Sequence, residues 1–433
     1  NKSKNWTFLN SIAGNENLGE RISDFTLIDK NGKNVLFKKL MAGEYLAEDF
    51  AQKFAYKIDL SRKEKVSSMA HISWIFGETG LLMTDDLLPQ FGQKSSVKIH
   101  FDLPKDWKIS GGGNLLEDNS FFVADIEKAV FIIGKNWRER KNDKVNLAFS
   151  GDWQFTDDEA LNAANEVLRE YKNIFGEIPN EKTQIFMVRF PESIQTGNWE
   201  AETRGANVVI LSSDMPFKNQ SLQRLHEQFR HELFHLWIPN NLSLTGNYDW
   251  FYEGFALYQS LRTGIELNGL RFEDFLDTLS RAYNLDNFQS QKISLIEASK
   301  NRWSGANSQI YARGMLVAFL CDIAILNESK GKRSLTEIFR EIYRKYRKPN
   351  TLHDGNSAIL SLFESRRELR QIVEKYIKGA ESIEWNTDLE AVGIEAKIEN
   401  SFTKLSVKSK LNGRQKDLLN ELGYNNWRKI VSK

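Results

Sequence analysis

The stretch RHELFHLWIPN occupies residues 230–240 and decides how the rest of the chain is interpreted. The chain has six histidines in 433 residues, and His231 and His235 stand four positions apart around Glu232. On an α-helix, four residues advance by about 400° and rise by about 6 Å, so the two imidazoles share one face. The pattern indicates either a metal site or a buried helix that carries two satisfied histidines.

The composition is typical of a soluble globular protein. It is 41% hydrophobic and 27% charged with a net charge of +1, so we expect neither nucleic acid nor an acidic membrane as a partner. A chain of 433 residues exceeds what one hydrophobic core usually serves, so several domains are expected. No run approaches the ~18 apolar residues of a membrane span, so no integral membrane segment is expected. The oligomeric state is not predicted.

Other features exclude some chemistries. The single cysteine, Cys321, lies in the apolar run LVAFLCDIAIL (316–326), which predicts a buried, inert thiol. The glycine run at 111–113 lacks the Gly-Lys-Ser/Thr of a phosphate loop, which argues against nucleotide binding. The chain begins Asn-Lys-Ser-Lys without Met. If an export signal has been removed, the expected compartment is extracytoplasmic, either periplasmic or secreted, and otherwise it is cytoplasmic.

The coarse secondary structure predicts a multidomain α+β protein. Segments 70–86, 95–104 and 128–134 are rich in β-branched and aromatic residues and predict an N-terminal, β-sandwich-like domain over residues 1–150. A predicted helix from Thr156 to Gly176 and predicted strands at 183–190 and 206–213 begin a second domain over 151–380. Apolar spacing predicts that its remainder is mostly helical, with helices at 222–237, 251–262, 271–284, 308–326, 334–346 and 366–378. Residues 381–433 form a small C-terminal segment of unknown role.

The chemistry of the opening stretch favours a metal. Two imidazoles at this spacing can hold one Zn²⁺ at about 2.0–2.1 Å, and Glu232 beside them suits a general base. A catalytic zinc also needs a third protein ligand and an open position. Glu253 in DWFYEGFALYQSL (249–261) can supply that ligand, and Gly254 allows close backbone packing. The alternative for Glu253 is a first-turn carboxylate that the helix dipole favours.

Two further segments offer candidate residues. Tyr311 begins a long apolar helix in SQIYARGMLVAFL (308–320), and a phenol with a pKa near 10 can donate to an oxyanion at neutral pH. The alternative is a tyrosine packed at the surface. The segment TGNWEAE (196–202) offers Glu200 and Glu202, which could bind the α-amino group of a peptide or simply be solvated.

These segments, in this order, resemble the gluzincin metallopeptidases, most closely the glycyl aminopeptidase family, which is related to the alanyl and leucyl aminopeptidases. The resemblance is carried by HELFHLW (231–237), WFYEGFALY (250–258), YARGMLVAFLCDIAI (311–325) and GNWEA (197–201). AHISWIFGETGLLMTDDLLP (70–89) and SSVKIHFDLPKDW (95–107) resemble the N-terminal β domain of that family. The resemblance implies a thermolysin-like catalytic domain behind a β domain.

The resemblance also implies a role for each site residue. His231, His235 and Glu253 would bind one zinc ion per chain, and Glu232 would act as the base. Tyr311 would stabilise the transition state. Gly197 and Glu200 fall on the Gly-x-x-Glu loop that anchors the substrate in the family. Seventeen residues separate His235 from Glu253, one fewer than is usual in the alanyl and leucyl relatives, and Ala201 replaces a polar residue.

The expected function is zinc-dependent peptide hydrolysis. The enzyme would be an aminopeptidase that removes N-terminal residues through attack of a metal-bound water activated by Glu232. Three alternatives stay open: a non-catalytic peptide-binding protein on a peptidase scaffold, an endopeptidase, and a hydrolase of a non-peptide bond such as an epoxide at the same zinc site. Side-chain specificity is not predicted, because the residues that line the substrate pocket come from loops.

Overall fold

The computed structural model describes residues 4–61, 68–90, 96–190 and 195–425, which form two compact units. The β unit combines Asn1–Leu161 with Asn180–Ser221, and the helical unit combines Asn162–Pro179 with Leu222–Lys433. The predicted domain boundaries at 150 and 380 do not coincide with these units and stay predictions. The fold class is confirmed, because a β-rich N-terminal part precedes a mostly helical part.

A mixed five-stranded sheet forms the largest sheet of the β unit. Its two inner pairings, Val145–Ser150 with Thr183–Arg189 and Thr183–Arg189 with Asn207–Ser212, are parallel. Its two outer strands, Trp137–Lys141 and Trp199–Arg204, pair antiparallel to their neighbours. The three inner strands are almost wholly buried, which explains why their sequences are continuous apolar runs.

Smaller antiparallel sheets make up most of the rest of the β unit. Two hydrophobic clusters lie among these smaller sheets, and a third, which includes Ile132, Phe186 and Val209, is shared with the five-stranded sheet. Their strands are Asn5–Thr7, Ile22–Ile28, Phe37–Met41, Glu44–Ala47, Lys53–Ile58, Trp74–Phe76, Thr79–Met83, Val97–Ile99, Lys108–Gly111, Asn114–Leu115, Phe121–Val123 and Val130–Gly134. The predicted strand at 95–104 is reduced to Val97–Ile99, and residue 95 lies outside the described part. Residues 100–104 lie outside any strand, so the pattern overestimated this strand.

Five of the six helices predicted after residue 220 are found near their predicted positions, whereas Leu295–Lys300, Gly355–Glu364, Asn386–Ala391 and Gly413–Glu421 were not predicted. The α-helices of four or more residues, from residue 157 onward, are Asp157–Phe175, Lys218–Glu232, Ala256–Glu266, Phe272–Phe288, Leu295–Lys300, Gly314–Ser329, Leu335–Tyr346, Gly355–Glu364, Asn386–Ala391 and Gly413–Glu421. Three turns continue these helices directly, namely the 3₁₀ turn Leu233–Leu236 and the π-helical turns Trp250–Phe255 and Gln309–Arg313. The 3₁₀ turn Arg302–Ser304 follows Leu295–Lys300 after a one-residue gap, and the 3₁₀ turn Arg367–Leu369 and the π-helical turn Val373–Lys378 flank the single α-turn Arg370–Ile372. The predicted helix at 366–378 is therefore a mixture, with Arg370–Ile372 as its only α-helical turn.

Two short strand pairs complete the helical unit. Leu244–Thr245 pairs in parallel with His353–Asp354, and Ile394–Glu399 forms an antiparallel hairpin with Phe402–Val407. The hairpin packs on the helix Phe272–Phe288 through the side chain of Asn284. The side-chain amide of Asn284 donates to the carbonyl oxygen of Thr403 and accepts the N–H of Thr403, both at 2.8 Å. Residues after 380 are thus built into this unit as far as the structure describes them.

The helix Gly314–Ser329 forms the centre of the helical unit. Cys321, Leu316 and Phe319 are fully buried, in agreement with the prediction of an inert thiol. By length and composition, Gln309–Ser329 is the one helix among the described residues that could cross a membrane, and 89% of its apolar window is buried inside the fold. Such burial is typical of the core helix of a globular protein.

Two helix starts with a capping-box spacing of residues are capped in different ways. Thr156 and Glu159 form a reciprocal capping box, with bonds of 3.2 and 2.8 Å. Ser334 and Glu337 stand at the same spacing, which favours a second box, but the box does not form, because the Ser334 side chain makes no capping bond. Asp322 instead accepts the N–H of Leu335 at 2.7 Å, so a carboxylate from the core helix caps this start.

Candidate active site

Two histidine nitrogens meet where one helix changes its pitch. The α-helix Lys218–Glu232 contains His231 and passes into the 3₁₀ turn Leu233–Leu236, which contains His235. Their Nε2 atoms lie 3.3 Å apart. The other ring nitrogen of His235, Nδ1, lies 3.0 Å from the carbonyl oxygen of Ile238. A proton on Nδ1 donates to that carbonyl and leaves a lone pair on Nε2, the arrangement that a metal-binding imidazole needs.

Glu253 joins the histidines through a close crossing of two helices. It sits in the π-helical turn Trp250–Phe255, and a Cβ on Gly254 would lie 2.5 Å from the carbonyl oxygen of Ile310 and 2.6 Å from the Cα of Gly314. Only glycines allow the backbones to approach this closely. The crossing places Oε2 of Glu253 3.3 Å from Nε2 of His231 and 3.6 Å from Nε2 of His235.

The three donor atoms fit a tetrahedral zinc ion. Bonds of about 2.0–2.1 Å in tetrahedral geometry require ligand atoms about 3.3–3.4 Å apart. The observed separations are 3.3, 3.3 and 3.6 Å, and each donor comes from a buried side chain. Two imidazole nitrogens and one carboxylate oxygen are also the donor set of known catalytic zinc sites. The residues present therefore suit Zn²⁺ by both chemistry and spacing.

Glu232 lies beside this donor set without belonging to it. Its side chain is 5% exposed, and Oε1 lies 3.9 Å from Nε2 of His231, farther than the three mutual donor separations. Ligand atoms of Glu232, His231 and His235 all fall within 4.8 Å of one another. A carboxylate next to the metal position, but outside its coordination polyhedron, can take a proton from water there.

Tyr311 completes the set of predicted residues in the helical unit. It belongs to the π-helical turn Gln309–Arg313, and its hydroxyl donates to Oε2 of Glu253 at 2.9 Å. Both Glu253 and Tyr311 thus lie on π-helical turns, which occur frequently at functional sites. The structure brings His231, Glu232, His235, Glu253 and Tyr311 together, and the roles predicted for them stay predictions.

Two charged residues at the site were missed by the sequence analysis. Arg302 places Nη1 2.9 Å from Oε1 of Glu253 and 3.0 Å from Oδ1 of Asp249, while its Nη2 donates to the hydroxyl of Tyr311 at 2.9 Å. Neither residue belongs to the pattern of predicted metal ligands. The only signal was position, since Asp249 is the first residue of the segment that carries Glu253, and Arg302 precedes the segment that carries Tyr311.

The charges shift the pKa values of the site groups strongly. Burial alone would lower the pKa of His235, but the neighbouring Glu253 carboxylate raises it to about 9. Burial would raise the pKa of Glu253, but Arg302 and His235 hold it well below its usual range. Burial, followed by the Glu253 charge, raises the pKa of Tyr311 well above its usual value. Glu253 is therefore ionised and Tyr311 protonated at neutral pH.

The two predicted substrate-anchoring residues lie in the β unit. Glu200 is on the edge strand Trp199–Arg204, and its carboxylate accepts the N–H groups of Ser68 and Ala70 at 3.3 and 3.4 Å. Gly197 precedes this strand with φ +88 and donates its N–H to Oγ of Ser213 at 2.8 Å. Their predicted roles stay predictions.

Glu202, which could substitute for Glu200, is held more tightly. Its carboxylate lies 2.6 Å from Nδ1 of His71 and 3.4 Å from Nε of Arg204. The hydrogen bonds that Glu200 accepts from the N–H groups of Ser68 and Ala70 have long donor–acceptor distances for such bonds. Of the two carboxylates, Glu200 is the better acceptor for an added amine.

Known structures share the fold of this chain. No protein-family model and no curated protein sequence matches it. An aminopeptidase N family protein from Idiomarina loihiensis superimposes with a TM-score of 0.78 at 14% identity, covering 96% of this chain and 78% of the other. A mutant M1 zinc metallopeptidase from Deinococcus radiodurans, bound to a Tyr-Ser-Ala substrate, gives a TM-score of 0.55 at 13% identity, with coverages of 82% and 86%.

A third similar structure is the native leukotriene A4 hydrolase from Saccharomyces cerevisiae. Its TM-score is 0.51 at 14% identity, and the match covers 90% of this chain and 63% of the hydrolase. At these identities the likeness shows the fold alone. The chain has the architecture of the M1 aminopeptidases, with an N-terminal β-rich domain followed by a helical region.

Proposed function

We propose that this chain is a zinc-dependent metallopeptidase of the gluzincin type, most similar to the glycyl aminopeptidases, and that it removes N-terminal residues from peptides. The observation that carries the proposal is the donor set of His231, His235 and Glu253, spaced at 3.3–3.6 Å beside the carboxylate of Glu232. The shared fold with an M1 zinc metallopeptidase crystallised with a tripeptide supports it.

His231, His235 and Glu253 would hold one zinc ion per chain. When bound, zinc would lower the pKa of water and polarise the scissile carbonyl group. Glu232 then accepts a proton from the attacking water and delivers it to the nitrogen of the leaving amine. The water oxygen becomes part of the new carboxylate, and the peptide C–N bond breaks.

Tyr311 supplies a neutral donor in this scheme. Its raised pKa keeps the phenol protonated across the neutral range, so the hydroxyl can turn from Glu253 toward a developing oxyanion. Arg302 donates to the same hydroxyl oxygen and leaves its proton available for donation. Together these contacts make Tyr311 a donor and not an acceptor in the reaction.

Removal of N-terminal residues rests on Glu200. An aminopeptidase must recognise a free α-ammonium group, and a carboxylate with long, weak bonds to backbone N–H groups can exchange them for a charge-assisted bond. Without that recognition, the same zinc site would cleave internal bonds, which is the endopeptidase alternative.

One observation favours a second candidate, hydrolysis of a non-peptide bond at the same site. The fold resembles that of a leukotriene A4 hydrolase, whose name gives a non-peptide substrate, with a TM-score of 0.51. The higher TM-score of 0.78 is with an aminopeptidase N family protein, and we therefore place peptide hydrolysis first.

A mass-spectrometric digest tests the proposal. A mixed peptide pool, half of it N-acetylated, is incubated with the zinc-loaded wild-type chain and with the Glu200→Gln variant. We expect loss of single N-terminal residues from free peptides only, and a marked loss of that preference in Glu200→Gln. Internal cleavage in both halves would reject the aminopeptidase assignment, and an intact pool would reject peptide hydrolysis and favour the non-peptide or binding-protein alternative.

A further inference from the structure

One guanidinium group connects three residues of the site. Arg302 lies in the 3₁₀ turn Arg302–Ser304, with a side chain that is 12% exposed. Its Nη1 contacts Oε1 of Glu253 and Oδ1 of Asp249 at 2.9 and 3.0 Å. Its Nη2 donates to Tyr311 at 2.9 Å. The ring of Trp303 lies under the guanidinium, with the Arg302 Cζ 4.6 Å from the ring centroid.

The two carboxylate oxygens of Glu253 are held in different ways. Oε1 contacts Arg302, whereas Oε2 faces Nε2 of both histidines and the hydroxyl of Tyr311. The two oxygens are chemically equivalent, so a half-turn about the Cγ–Cδ bond would only exchange them. A partial turn that brought both oxygens toward the histidines would break the contact with Arg302. Arg302 therefore holds the carboxylate in the orientation in which a single oxygen, Oε2, faces the donor set.

The planar fork of arginine suits this task better than a point charge. Its two terminal nitrogens are fixed relative to each other, so contact with Glu253 through one positions the other for Tyr311. Asp249 balances part of the charge and fixes Nη1 from the other side. The spacing between the carboxylate and the phenol is thereby set by a rigid group.

We propose that Arg302 is a positioning residue that holds Glu253 as a single-oxygen metal ligand through Oε2 and keeps the Tyr311 hydroxyl beside it. The inference rests on the proposed function, because it assigns a task to a residue next to the proposed metal ligands. Partners of ligating carboxylates orient their ligands, and their loss typically costs about 10–100-fold in metal affinity or activity.

Three variants test this proposal. Arg302→Gln removes the charge and the fork, and Arg302→Lys keeps the charge without the fork. The matched control is Arg21→Gln in the β unit, which breaks a buried Arg–Asp contact of 2.9 Å with Asp86. Each folded variant is confirmed by circular dichroism and loaded with Zn²⁺ or Co²⁺.

Three readouts separate positioning from simple destabilisation. Zinc transfer to a chelator measures ligand strength, and the visible absorption of the cobalt form reports coordination number, since four-coordinate Co²⁺ absorbs more strongly than five-coordinate Co²⁺. Peptide hydrolysis gives kcat and KM separately. The first two readouts do not depend on turnover.

We expect Arg302→Gln to lose zinc to the chelator about 10–100-fold faster than the wild type. Its cobalt form should absorb more weakly, because Glu253 would then bind the metal through both oxygens. Its kcat should fall, with little change in KM. Arg302→Lys should fall short of the wild-type cobalt absorption and of the wild-type kcat. Arg21→Gln should match the wild type in all three readouts. If Arg302→Gln does not fold, the same three readouts are measured on Arg302→Lys and Asp249→Asn.

Wild-type zinc retention and cobalt absorption in Arg302→Gln would overturn the positioning role. Full recovery in Arg302→Lys would show that charge alone suffices and would overturn the role of the fork. Failure of the proposed function looks different, because the wild-type chain itself would then bind no metal or cleave no peptide. Metal binding without peptide cleavage would still leave the first two readouts decisive for Arg302.

Discussion

The hydroxyl of Tyr311 donates a 2.9 Å hydrogen bond to Oε2 of Glu253, the same oxygen that faces the Nε2 atoms of both site histidines. The two residues are 58 positions apart in the chain. They meet because Gly254 and Gly314, each adjacent or close to one of them, let two helices touch at the backbone. The predicted oxyanion donor and the predicted third ligand therefore belong to one hydrogen-bonded group.

Glu232→Ala is expected to abolish most turnover while leaving metal binding intact. The carboxylate lies outside the donor set, and removal of a general base typically costs about 10²–10⁴-fold in rate. Peptide hydrolysis and zinc content are measured on the same preparation. Glu227→Gln, on the same helix and 47% exposed, is the control and should keep wild-type turnover. Wild-type turnover in Glu232→Ala would remove Glu232 as the base.

Tyr311→Phe is expected to lower kcat by about 10²–10³-fold with zinc still bound, by analogy with the loss of one oxyanion donor. The phenol is not one of the three donors, and Arg302 continues to hold Glu253 through Oε1. Steady-state kinetics with zinc analysis provide the measurement. An unchanged kcat would exclude Tyr311 from the reaction, and loss of zinc would make its role structural.

Gly254→Ala is expected to destabilise the chain by about 1–3 kcal/mol, because the new Cβ would lie within 2.5–2.6 Å of the backbone of Ile310 and Gly314. Denaturant unfolding of the metal-free protein measures the effect. Gly413→Ala is the control, since its Cβ would meet nothing within 4 Å. Equal stability of both variants would contradict the close helix crossing.

The affinity for zinc should rise with pH through the neutral range. In the metal-free chain the pKa of His235 is raised to about 9, above the value of about 6.5 for an unperturbed histidine. Zinc must displace that proton, so this group alone makes the affinity rise about tenfold per pH unit below pH 9. Competition with a chelator between pH 6.5 and 8.5 measures the slope, and a flat profile would contradict it.

The same group sets the pH dependence of the stability of the metal-free chain. Because the folded pKa is the higher one, protonated His235 contributes stability that is fully present below about pH 6.5 and lost as pH rises through 9. Thermal unfolding of the metal-free chain across this range should show the decline. His235→Ala should flatten it.

The sequence predicted the site where spacing along one helix was enough. His231, Glu232 and His235 are neighbours by helical geometry, whereas Glu253 was a candidate by its place at the start of an apolar helix and Tyr311 gained its role from the resemblance to the gluzincin family. Arg302 and Asp249 could not be found in this way, because their contacts depend on a turn between two helices. An arginine in such a turn has no periodic pattern that distinguishes it from a solvated one.

The fold was predictable for similar reasons. Continuous apolar runs marked the buried strands Thr183–Arg189 and Asn207–Ser212, and 3.6-residue spacing marked the long helices. The short helices Leu295–Lys300 and Asn386–Ala391 were not predicted, because six residues are too few to show a helical period. The π-helical turns at Glu253 and Tyr311 also escaped, since their extra residue depends on tertiary packing.

His231, His235 and Glu253 are proposed to bind one zinc ion per chain. Metal analysis of the purified chain after zinc loading and extensive dialysis tests it directly, with Glu253→Ala and the exposed helix residue variant Glu266→Gln compared in parallel. We expect one zinc ion per chain in the wild type and in Glu266→Gln, and far less in Glu253→Ala. Absence of zinc from the wild-type chain, or equal zinc in all three proteins, would contradict it.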